Sequence, residues 1–144
     1  MKITNHVKIN LPAHVGNEGF ARAAVAAFCA PLSPSLEEIN DIKTAVSEAV
    51  TNVIVHAYPE KDGEIDIDVV IYDDKLISIT VTDAGIGLRD PDQAMKPFFT
   101  TKSAEEHSGM GFTIMEAFMD ELDVRSEIGR GTRVTMRKSI KQHA

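Results

Sequence analysis

Cysteine occurs once in these 144 residues, at Cys29, so no intramolecular disulfide can form and the composition suits a reducing compartment. Basic residues are in deficit: 15 Lys plus Arg stand against 22 Asp plus Glu, a formal net charge of -7. An average surface of that sign repels a phosphate backbone, which argues against nucleic acid as a direct partner. Basic proteins or a metal–nucleotide complex fit better. No apolar run approaches the roughly 20 residues that span a bilayer, so no membrane association is expected. The opening MKITNHVKINL has no long apolar stretch and no small-residue cleavage site, which argues against a secretory signal. Repeats, low-complexity tracts and internal linkers are lacking, and the expectation is one cytoplasmic domain over residues 1–144. The chain also lacks a Walker P-loop, an H-E-x-x-H zinc motif and a G-x-S-x-G elbow.

What is present is ordinary globular material, 43% hydrophobic and 26% charged. A domain of this length buries roughly 68–70% of the surface of its unfolded chain, enough for a core without disulfides. His6 to Leu11 alternates as a short strand. An unusually apolar helix is expected from about Asn17 to Ala30, closed by Pro31 and Pro34. A second starts near Ser35, whose spacing to Glu38 is that of a capping box, or equally at Ser33-Pro34, and runs to about Tyr58. Its apolar stripe is Leu36, Ile39, Ile42, Val46, Ala49, Val50, Val53 and Ala57. A hairpin follows, residues 65–71 and 77–82 around Asp73-Asp74.

Residues 83–109 are rich in glycine, proline and charge, and a loop of that length in a compact domain is usually functional. A third helix is expected from Gly111 to Leu122, with Phe112, Met115, Phe118, Met119 and Leu122 inward. Residues 123–128 and 131–138 close the chain as a hairpin. Hairpin-linked strands with helices on one face predict an α+β two-layer sandwich with a mixed, mostly antiparallel sheet.

Three clusters could carry chemistry. On the second helix Glu48, Asn52 and His56 are successive i, i+4 positions, and Glu48 and Asn52 lie opposite the apolar stripe. Alone they read as a solvated helix face. Asp83-Ala84-Gly85-Ile86-Gly87 ends a strand, either as a plain turn or as a place where backbone approaches a ligand closely. Ser108-Gly109-Met110-Gly111-Phe112 enters the third helix, where free N–H groups and the helix dipole make an anion cradle.

Taken together, E-x-x-x-N, D-x-G-x-G and G-x-G in this order resemble the Bergerat ATP-binding fold shared by histidine kinases, type II topoisomerases, mismatch-repair ATPases and a heat-shock chaperone. The segment Pro97-Phe98-Phe99-Thr100-Thr101-Lys102 looks like the histidine-kinase lid, placed here at about residues 89–108. No room exists before residue 35 for a dimerising hairpin bearing a phospho-acceptor histidine. A lone ATP-binding domain resembles instead the anti-sigma factors that are serine kinases. Residues 46–52 and 109–121 look specifically like those of the anti-sigma F factors of endospore-forming bacteria, with the anti-sigma B factors next. Ala57 sits where many relatives carry glycine.

The resemblance implies that Asn52 ligates Mg²⁺ and that Asp83 accepts a hydrogen bond from the adenine amine of ATP or ADP. It implies that Gly85, Gly87, Gly109 and Gly111 let backbone close over the nucleotide, and that Thr132 helps hold the adenine. Thr101, Lys102 and Ser108 would contact phosphates. Glu48 would take the proton of a serine hydroxyl on an anti-anti-sigma protein. A sporulation sigma factor (sigma F) is the implied second partner, and a homodimer the implied assembly. The apolar first helix independently asks for cover on more than one face. Two other functions stay open, an ATP-sensing anti-sigma module without phosphotransfer and an ATPase domain detached from a larger machine. An intact Glu48 favours the kinase.

Overall fold

The computed structural model describes residues 1–88 and 111–141. Its described elements are β1 (Ile3–Pro12), α1 (Glu18–Cys29), α2 (Leu36–Asn52), β2 (Glu64–Tyr72), β3 (Leu76–Asp83), α3 (Gly111–Phe118), β4 (Glu121–Glu127) and β5 (Gly131–Ser139). The five strands form one sheet in the order β1-β2-β3-β5-β4. All four pairings are antiparallel, so the parallel component allowed for in a mixed sheet is not found among the described strands. Short turns join β2 to β3 and β4 to β5, whereas β1 and β2 pair across α1 and α2, and β3 and β5 across α3 and β4.

Alternation along the strands decides which face is covered. Ile65, Ile67 and Val69 of β2, Ile77, Ile79 and Val81 of β3 and Val134 and Met136 of β5 are buried in one cluster with α2 residues Ile42, Val46, Ala49 and Val50. The opposite face carries Asp66, Asp68, Thr80, Thr82 and Arg133, paired across the strands in register. Helices α1 and α3 both pack against α2. This is the two-layer α+β arrangement expected from the pattern.

The capping box forms as the spacing predicts: Glu38 N–H donates to Ser35 Oγ at 3.0 Å, and Ser35 N–H to Glu38 Oε1 at 2.8 Å. Glu38 also accepts from the Lys141 N–H at 2.9 Å through Oε2, which ties the chain's last strand to the start of α2. Lys138, on the covered face of β5, donates to the Phe118 carbonyl at 2.8 Å and lies 3.5 Å from Asp41 of α2. One ammonium thereby satisfies the end of α3 and an α2 carboxylate.

Several boundaries differ from the sequence reading. β1 extends well beyond His6–Leu11, because its pairing with β2 continues to Ile3 and Pro12. The third helix stops at Phe118, and Leu122 belongs to β4. Antiparallel pairing of Leu122 with Met136 claims those residues for the sheet. Phe118, expected inward, is exposed, as is Leu36 at the first turn of α2. Regular α-helix in α2 ends at Asn52 rather than Tyr58, and a π-helical turn runs over Val53–Ala57. The Val53 N–H is shared between the Ala49 and Val50 carbonyls. The turn is occupied by the β-branched run Val53, Ile54 and Val55, whose χ1 freedom is restricted in an α-helix.

Cys29 is fully buried at the end of α1, and desolvation pushes its thiol up to about 12. Such a thiol is protonated and unreactive at neutral pH. Dithionitrobenzoate should therefore leave the native protein unmodified and react once urea unfolds it. Rapid reaction in the native state would contradict this placement.

Candidate functional site

The π-helical turn places the end of the second helix against the loop that leaves β3. The Ile86 N–H donates to the Ala57 carbonyl at 2.9 Å. That approach is why residue 85 is glycine: a Cβ there would lie 2.1 Å from the Ala57 carbonyl oxygen, backbone that cannot move aside. Gly87 has φ +75 and packs on the other side, where a Cβ would lie 2.3 Å from the Glu127 carbonyl oxygen. Both glycines thus let the loop seat against the chain's own backbone, between the helix end and the β4–β5 turn. The Gly129 N–H completes that second contact by donating to the Ile86 carbonyl at 2.8 Å.

Asp83, the last residue of β3, is buried. Its Oδ1 accepts from the Gly85 N–H at 2.9 Å and from the Thr132 N–H at 3.3 Å. No described residue bonds to Oδ2. Burial raises the Asp83 carboxyl above the ordinary aspartate value, while the two amide bonds pull it back down. One oxygen of the carboxylate is therefore spent on holding the loop and β5 together, and the other has no partner among the described residues.

Thr132 stands beside this carboxylate in β5, paired with Asp83 across the strands. Its hydroxyl lies 2.8 Å from the Ser126 hydroxyl. Ser126 in turn accepts from the Leu88 N–H at 2.6 Å and lies 3.1 Å from the Gly131 carbonyl. Tyr58 does similar work on the helix side. Its hydroxyl donates to the Glu64 carbonyl at 2.6 Å and accepts from the Ala84 N–H at 2.9 Å. Neither Tyr58 nor Ser126 was singled out in the sequence. Ser126 is a small hydroxyl in a strand of charges and has no local signature. Tyr58 has a faint one, an aromatic hydroxyl at the helix end just before Pro59.

Glu48 and Asn52 occupy the last two turns of α2 and are both half-buried. The i, i+4 relation puts them on one face, about 6 Å apart at Cβ. Asn52 Nδ2 is buried without a hydrogen-bond partner among the described residues. An unmet buried amide costs about 1–3 kcal/mol, so this position calls for a partner beyond the described residues. Gly111, also buried, is the first described residue of α3. The candidates Thr101, Lys102, Ser108 and Gly109, and the lid at about 89–108, lie outside the described residues. No group of three or more metal-ligating His, Cys, Asp or Glu side chains is found among the described residues. A site built on one neutral amide oxygen would be completed by a ligand's own oxygens, and the Asn52 amide fits Mg²⁺ held in that manner.

Comparison with known proteins agrees with this fold. The model of the histidine kinase-like ATPase domain family matches residues 10–138. An anti-sigma F factor from Caldanaerobacter subterraneus subsp. tengcongensis is 54% identical over 140 residues, covering 97% of both chains. The anti-sigma F factor of Clostridium beijerinckii is 50% identical over 137 residues, covering 94% of this chain and 95% of that one. The chain belongs to the anti-sigma F factor family. Among solved structures, the RsbU and RsbW domains of a Mycobacterium tuberculosis protein align with TM-score 0.69 at 21% identity, over 95% of this chain and 32% of that one. The histidine kinase domain of an Erythrobacter litoralis blue-light activated kinase aligns with TM-score 0.60 at 19% identity, over 85% and 61%. These structures share the fold. In this anti-sigma F factor chain, the D-x-G-x-G loop, the α2 end and the start of α3 are thus parts of a histidine kinase-like ATPase domain. None of its described helices is long and apolar enough to cross a membrane.

Proposed function

We propose that this chain is an ATP-dependent serine kinase that phosphorylates an anti-anti-sigma protein and, in its other role, binds and inhibits a sigma factor of the sigma F type in the cytoplasm. The observation that carries the nucleotide reading is Asp83, a buried carboxylate with Oδ1 committed to two backbone amides and Oδ2 left to accept from an adenine amine. Guanine presents a carbonyl oxygen at that position, and two buried acceptors facing each other are costly. Membership of the anti-sigma F factor family supports the sigma-factor role.

Mg²⁺ and ATP, when bound, supply the phosphoryl group and much of the charge neutralisation its transfer requires. The chain's part is to hold and orient. Asn52 offers its amide oxygen to the metal and its unpartnered Nδ2 to a phosphate oxygen. The α3 N-terminus at Gly111 offers backbone N–H groups to the phosphates. Thr132 and Ser126 hold the wall beside the base. Glu48 accepts the proton of the attacking serine hydroxyl at its carboxylate, a contribution of about 10²–10⁴-fold. Incubation with γ-labelled ATP, Mg²⁺ and the anti-anti-sigma protein should place acid-stable label on a serine of that protein. Absence of transfer, or acid-labile label on histidine, would overturn the kinase reading.

We further propose a homodimer. α1 buries Ala21, Val25 and Cys29 but leaves Phe20 57% exposed, with Ala23 and Ala27 also at the surface. A second copy related by a two-fold axis would cover that face. Light scattering at micromolar concentration should give twice the chain mass, and the single-chain mass would count against the dimer.

A further inference from the structure

We infer that Tyr58 is a positioning residue for the base-reading carboxylate, acting through the backbone that carries it. This inference rests on the reading of Asp83 as the acceptor for an adenine amine.

Three successive amides follow Asp83, and each is fastened differently. The Gly85 N–H returns to Asp83 Oδ1 at 2.9 Å, and the Ile86 N–H reaches the Ala57 carbonyl at 2.9 Å. The first, the Ala84 N–H, is held among the described residues by the Tyr58 hydroxyl, also at 2.9 Å. Ala84 itself is exposed, so without that hydroxyl its amide would turn to water.

The hydroxyl is fixed in turn by donating to the Glu64 carbonyl at the start of β2, which pairs antiparallel with β3. The ring lies flat against Gly63, where a Cβ would come within 2.3 Å of three ring atoms. The phenol therefore bridges the helix end, the first residue of β2 and the peptide immediately after Asp83. Rotation of the 83–84 peptide would swing the Asp83 side chain and misaim Oδ2, while leaving the rest of the pocket wall, held by Ser126 and Thr132, in place. Loss of the hydroxyl should thus affect base discrimination more than phosphate binding.

Tyr58→Phe removes the hydroxyl and keeps the ring over Gly63. Titration of the purified chain with ADP and GDP should show ADP affinity falling about tenfold and the ADP-over-GDP preference falling with it. Unchanged affinity and preference would overturn the inference. An equal loss for both nucleotides would also overturn it, since a merely structural role weakens both alike. If the variant does not fold, the wild-type protein still decides. Its Ala84 amide should exchange slowly with deuterium before any nucleotide is added, and exchange at the rate of an unbonded loop amide would overturn the bridge. Asp83→Asn, titrated in parallel, separates the two levels. No effect there overturns the reading of Asp83, whereas a large effect there beside a silent Tyr58→Phe overturns only the role of Tyr58.

Discussion

Glu48→Gln is expected to bind Mg-ATP and the sigma factor as the parent chain does, while phosphorylation of the anti-anti-sigma serine falls by about 10²–10⁴-fold. Glutamine keeps the shape and the helix propensity at a half-buried position of α2 and removes only the capacity to accept a proton. The fold should be nearly unaffected, since Glu48 lies off the stripe formed by Ile42, Val46, Ala49 and Val50. Asn52→Ala, one turn further on, should fail differently: Mg-dependent nucleotide affinity itself drops, and with it any sigma-factor binding that needs ATP. Single-turnover transfer with saturating ATP separates the two. Transfer at the parent rate by Glu48→Gln would remove this carboxylate from the chemistry and leave positioning alone to account for it.

Asp83→Asn should reduce ADP affinity by about 10²–10⁴-fold and bring ADP and GDP close to parity. The amides of Gly85 and Thr132 require an acceptor at Oδ1, so the asparagine oxygen takes that place and its NH₂ group points where Oδ2 was. A donor then faces the adenine amine. Because the loop keeps both of its anchoring bonds, the loss reports on the ligand and not on folding.

The same carboxylate predicts a pH dependence. Burial holds the Asp83 carboxyl above its ordinary value, so acid protonates it at a higher pH than an exposed aspartate. Protonation at Oδ2 turns an acceptor into a donor, and ADP affinity should weaken as pH falls through that raised value. For stability the sign is opposite. A folded-state value above the unfolded one contributes stability below the unfolded value and loses it as pH rises through the folded one. Ionised Asp83 thus costs the free protein stability at neutral pH, a cost carried by the site in the form needed to read a base.

The elements most legible in the sequence were those set by local chemistry. Ser35 and Glu38 announce the start of α2, and alternation in residues 65–71 and 77–82 announces β2 and β3, because caps and half-buried strands leave period and spacing in the chain. Leu122 was misplaced because a strand and a helix end compete there, and Met136, fourteen residues on, decides the outcome. The π-helical turn at Val53–Ala57 was hidden inside a continuous helical pattern. At the site, Asp83, Gly85 and Asn52 read singly as a turn and a solvated helix face, and drew attention only as an ordered set of motifs resembling the Bergerat fold. The backbone reasons for two of the glycines did not, since the carbonyls of Ala57 and Glu127 are distant in sequence. Tyr58 and Ser126 act through main-chain partners at residues 64, 84, 88 and 131, and such bonds leave at most the faint mark of an aromatic hydroxyl at a helix end.

Everything proposed for Glu48 and Asn52 depends on an adenine nucleotide seating against Asp83. Calorimetric titration of the unmodified chain with ADP and GDP in the presence of Mg²⁺ tests that dependence most directly. The account predicts a clear ADP isotherm and GDP affinity lower by about 10²-fold or more. Equal affinities for the two would contradict it.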